Sequence, residues 1–107
     1  MIMRRLFVSQ PMCSKTQEEI IEARDKAIER LSRRLNEGFE VAESYFTEDE
    51  PKDVKSSGVY WLGKSLELLS ECDLALFIGD WYDYRGCQIE HQVCENYGIE
   101  IREDRGE

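Results

Sequence analysis

Leu74-Ala75-Leu76-Phe77-Ile78 is the stretch that most constrains this chain. Five apolar residues follow one another with no polar alternation. A strand of that kind must be covered on both faces, as at the centre of a parallel sheet.

The flanking segments supply the covering helices. Thr16 followed by Glu19 is a capping-box pattern. After it Ile20, Ala23, Ala27, Ile28, Leu31 and Leu35 form one apolar stripe. Glu22 with Lys26 and Glu29 with Arg33 are i,i+4 pairs in the favourable order, each worth about 0.2–0.5 kcal/mol. Gly38 stands where a helix C-terminal glycine belongs. From Gly58 the pattern is helical again, with Val59, Leu62, Leu66 and Leu69 on one face. Residues 87–97 form a third helix with Ile89, Val93 and Tyr97 at spacing four, stopped by Gly98.

Three further strands complete the pattern. Leu6-Phe7-Val8 is a short buried strand, ended by Ser9-Gln10-Pro11, where proline removes a backbone donor. Residues 39–46 are strand-like, with Val41, Tyr45 and Phe46 as anchors. Residues 47–57 are charged, contain Pro51 and read as a loop. Ile99 and Ile101 flank Glu100 in a last strand, and residues 102–107 are a charged tail with no core signal. The expected order is β-α-β-α-β-α-β in a single domain spanning residues 1–107. That order predicts an α/β fold with a parallel sheet and helices on both faces.

Ligands bind such sheets outside the carboxyl ends of the strands, where strand order reverses. Two segments fall there: Ser9-Gln10-Pro11-Met12, and residues 79–86 with Asp80, Trp81, Tyr82, Asp83, Tyr84, Arg85 and Gly86. An aromatic ring can stack on a base or sugar, and an arginine can hold a phosphate or carboxylate. Trp81 and Tyr82 could equally pack on the domain edge or a subunit interface. Glu90 lies in the first turns of the third helix. A helix N-terminus favours negative charge by about 0.3–1 kcal/mol and is expected to keep this carboxylate ionised. Its bland alternatives are dipole compensation or pairing with Arg85. Cys87, His91 and Cys94 share a helical face but lack a fourth ligand, so packing is expected rather than metal. No dinucleotide-binding, P-loop or serine-hydrolase motif is present.

The net charge of -9 repels phosphate backbones, so no nucleic-acid partner is expected. Met1 to Met3 lead straight into Arg4 and Arg5, and the apolar run behind them is too short for a signal peptide or membrane span. The four cysteines show no C-x-x-C pair or disulfide framework. Reduced thiols in a cytoplasmic protein are expected.

Ser9-Gln10-Pro11-Met12, Trp61-Leu62-Gly63-Lys64-Ser65-Leu66, and Trp81 with Arg85-Gly86-Cys87 and Ile89-Glu90-His91 resemble an uncharacterised domain family of bacteria and their phages. The resemblance runs from about Leu6 to Ile101. That family is similar to the nucleoside 2-deoxyribosyltransferases and deoxynucleotide N-glycosidases. The resemblance implies a flavodoxin-like (Rossmann-like) three-layer sandwich. It also implies a glutamate that attacks the anomeric carbon of a nucleoside or nucleotide, the two-step logic of retaining glycosidases. By position Glu90 matches that nucleophile, and Asp80 or Asp83 the acid that handles the base. Ser9, Gln10, Pro11 and Met12 would line the pocket, with Gly86 beside it. Trp81 would be a stacking wall, and Arg85 would meet a 5′-phosphate. In the transferases an aspartate usually stands six residues before the nucleophile; here that place is Tyr84, and Asp83 is its neighbour. The glycine-rich first loop of the enzymes is replaced by Gln10-Pro11-Met12. The resemblance implies no cofactor, and a homo-oligomer (a dimer or larger). The alternatives are a non-catalytic nucleotide-binding module and an interaction protein that uses Trp81, Tyr82 and Tyr84 as its surface.

Overall fold

A computed structural model describes residues 3–44, 46 and 48–106; Tyr45, one of the expected strand anchors, lies outside them. The elements are β1 (Arg4–Ser9), α1 (Gln17–Leu35), β2 (Phe39–Val41), α2 (Ser57–Leu69), β3 (Leu74–Ile78), α3 (Arg85–Tyr97) and β4 (Glu100–Asp104). A short 3-10 turn, Trp81–Asp83, joins β3 to α3. The four strands form one parallel sheet in the order β2-β1-β3-β4. The protein is an α/β fold compatible with the flavodoxin-like three-layer arrangement.

The pleat divides the core. Leu6 and Val8 of β1, with Leu74, Leu76 and Ile78 of β3, pack on Ala27 and Leu31 of α1. Phe7, Ala75 and Phe77 point to the other face and meet Leu69 of α2 and Cys87 and Cys94 of α3. Successive side chains alternate across a strand, so an unbroken apolar run feeds two cores at once. β1 leads one way to β2, and the chain then crosses back to β3 on the other side of β1. Strand order therefore reverses between β1 and β3, and their carboxyl ends open a cleft there.

The capping box of α1 is formed. The Glu19 amide donates to Thr16 Oγ1 at 3.1 Å, and the Thr16 amide donates to Glu19 Oε1 at 2.9 Å. Thr16→Ala is expected to cost about 1 kcal/mol, read as a lower midpoint in urea denaturation. The helix stops earlier than Gly38: Asn36 takes the left-handed conformation (φ 53°) and its N–H bonds to the Ser32 carbonyl. Asparagine tolerates that region because its short polar side chain can bond locally. Gly98 does end α3, at φ 72°.

Four further expectations are corrected. β2 pairs for only three residues, and Val41 is 37% exposed rather than an anchor. It is an edge strand, and past Val41 the chain is held to β1 by single contacts: the Ala42 amide donates to Leu6 O, and Ser44 Oγ donates to Val8 O at 2.9 Å. The buried stripe of α3 contains Cys87, Glu90 and Cys94, while Tyr97 is 80% exposed. β4 runs into the charged tail, and Asp104 is buried. Parallel pairing uses backbone groups, so charged side chains do not end it, and Asp104 finds Arg30 at 2.8 and 3.0 Å. Val59, expected on the core face of α2, is exposed as well. Among the described residues no helix is long and apolar enough to cross a membrane.

Candidate functional site

Ser9 ends β1 on the same face as Phe7, which turns its hydroxyl toward the helices α2 and α3. Glu90 lies in the second turn of α3 on its buried stripe, 7% exposed. The two meet: Ser9 Oγ donates to Glu90 Oε1 at 2.6 Å. Ser65 of α2 faces the same cavity and favours the charged form of that carboxyl. Three elements thus converge on one acid at the reversal of strand order.

Beside them lies a cavity of about 720 Å³. Ser9, Gln10, Pro11, Met12, Arg85, Gly86 and Glu90 all line it, as do Phe46, Trp61 and Leu62. Glu90 is the only carboxylate and Arg85 the only cation among its described lining residues. Gln10 also braces the fold, since its amide donates to the Ile20 carbonyl at 3.0 Å and ties this loop to α1.

Burial pushes the Glu90 carboxyl from 4.5 up to about 7, although the hydroxyls of Ser9 and Ser65 favour its charged form. The expectation of a firmly ionised carboxylate is therefore corrected. The helix dipole acts mainly within the first turn, and Glu90 sits beyond it. Desolvation is the larger effect at that depth. Burial likewise pushes the neighbouring Cys87 thiol up to about 11, so it is a poor nucleophile at neutral pH.

Three sequence-derived candidates lie elsewhere. Asp80 and Asp83 are exposed and do not line the cavity. Trp81 is 8% exposed and packs into the core, 5.2 Å from the Phe77 ring and stacked at 4.3 Å on His91. The 3-10 turn leans toward β4, where Tyr82 faces the Arg105 guanidinium at 5.0 Å, so the loop turns its acids and its tryptophan from β1. Cys87 and Cys94 are buried in the core and His91 is held between rings. No cluster of metal-ligating side chains is found among the described residues.

Two site residues, Ser65 and Trp61, stand in a segment that carries the resemblance but are given no site role by sequence reasoning. Ser65 carries a signal: it lies three residues after Leu62 and four before Leu69, a polar residue on an apolar stripe. Trp61 carries none, because its place at the cavity depends on how α2 packs. Its ring stacks on Phe46 at 5.7 Å with planes 20° apart.

No family model, curated protein or solved structure matches the chain.

Proposed function

We propose that the protein cleaves or transfers the N-glycosidic bond of a deoxynucleoside or its monophosphate, with Glu90 as nucleophile. The observation that supports this reading best is the buried Glu90 carboxyl, hydrogen-bonded by Ser9 and open to a cavity at the strand-order reversal. In the proposed reaction an ionised Glu90 oxygen attacks the anomeric carbon. The carbon–nitrogen bond breaks, its electron pair stays with the base, and the base takes a proton from water. Water or a second base then attacks the same carbon and frees Glu90. A desolvated carboxylate suits such an attack, because it is costly to leave charged and gains strongly from the positive charge developing at the sugar. Ser9 holds its orientation through that hydrogen bond. Arg85 is the group on hand for a phosphate.

The test is a panel of deoxynucleosides and monophosphates scored for released base. Release should be abolished by Glu90→Ala; release that survives it ends the proposal. Only the ionised form attacks, so kcat/KM is expected to rise with pH up to about 7 and level off above it. Ser9→Ala removes a donor that favours the anion. It should move that midpoint to higher pH and lower the rate at pH 7 several-fold, measured as a pH profile. The resemblance also implies a homo-oligomer, which light scattering reads directly.

The exposure of Asp80 and Asp83 favours a second reading, a binding module without turnover. Thermal stabilisation by nucleotides with no base released would select it.

A further inference from the structure

We propose that Trp61, held by Phe46, is the platform on which the planar heterocycle of the ligand stacks, the role the sequence suggested for Trp81. The inference deepens the glycosyl-transfer reading and rests on it for the identity of the ligand.

Trp61 lines the cavity and is only half-buried. Its ring is fixed from two sides: Phe46 stacks on it at 5.7 Å, and Tyr60 meets it edge-on at 4.9 Å. A ring held this way binds with little loss of side-chain freedom. Trp81 cannot serve, because it is buried in the core and does not line the cavity.

The spacing along α2 connects the platform to the carboxyl. Trp61 and Ser65 are four residues apart and share one face, about 6 Å along the helix axis. Ser65 and Glu90 line the same cavity as Trp61. A base stacked on Trp61 would place its sugar in the cavity onto which Glu90 opens. A sugar phosphate without a base would lack this anchor.

The experiment uses Trp81→Phe, which leaves Trp61 as the only tryptophan of the two. Its emission is titrated with thymidine, deoxyguanosine, their 5′-monophosphates, and 2-deoxyribose 5-phosphate as the sugar-only control. The base-bearing compounds should quench it saturably and the sugar phosphate should not. In calorimetry on the otherwise unaltered chain, Trp61→Leu should weaken binding of the base-bearing compounds about tenfold or more. Trp61→Phe should keep binding within a few-fold, which a merely structural role would not separate. Absence of quenching by every compound, or Trp61→Leu binding as tightly as the parent, overturns the platform. Base release that survives Glu90→Ala would instead remove the proposed reaction while the quenching stands.

Discussion

Glu90→Gln is expected to make the protein more stable at pH 8 while removing base release. The carboxyl is raised from 4.5 to about 7 by burial, so the folded protein holds a proton that the unfolded chain releases. Between those values stability falls as pH rises. The favourable contribution of the protonated acid is fully present below about pH 4.5 and is lost as pH passes about 7. Glutamine is neutral throughout, so it keeps what the carboxylate loses. The gain at pH 8 is about 3 kcal/mol at most, and near zero at pH 4. Each kcal/mol raises Tm by about 4–8 °C in a domain of this size. Melting curves of both proteins at pH 4 and pH 8 check it. Equal Tm differences at the two pH values would mean that the carboxyl is not destabilised by burial. Stability gained where activity is lost is the mark of a charge kept for chemistry rather than for folding.

Asp104→Ala is expected to act in the opposite sense, costing about 2–3 kcal/mol and leaving the cavity chemistry intact. The Asp104 side chain is 1% exposed and takes two hydrogen bonds from Arg30, at 2.8 and 3.0 Å. It also accepts from the Gly106 amide at 2.8 Å, with Arg34 at 3.9 Å. Breaking a fully buried pair costs about 3–5 kcal/mol; Arg30 keeps some access to water, which lowers the figure. Burial works against the charge of Asp104, but the Arg30 hydrogen bonds, the Gly106 amide and the two arginine charges together hold its carboxyl below the usual value. That stability is present above the ordinary aspartate range and is lost as pH falls through the depressed value. The urea midpoint at pH 7 measures the cost. Asp104 belongs to the α1 side of the sheet, so base release by the folded variant should match the parent.

The fold was legible where periodicity was strong. The run 74–78 demanded cover on both faces, and the sheet places it between β1 and β4 with helices above and below. The Thr16 capping box was legible because it is local. Edges were not. Val41 and Asp104 lie on the two edge strands, where backbone pairing is indifferent to side-chain type and a distant partner such as Arg30 decides burial. The site was half legible. Ser9 ends β1 and Glu90 lies in the second turn of α3, two elements that topology brings to one place. Trp81, Asp80 and Asp83 were misplaced because a single 3-10 turn sets which way their loop leans, and no spacing reveals that. Trp61 took the cavity position through packing between α2 and the segment after β2, a long-range contact without a sequence pattern.

The central claim is that Glu90 is a nucleophile, and its most direct test is the intact mass of the protein after acid quench during turnover of a deoxynucleotide. The account predicts a species heavier by one deoxyribosyl 5-phosphate unit, mapped by peptide analysis to Glu90 and absent from Glu90→Gln. Turnover with no such adduct, or with the sugar on another residue, contradicts it.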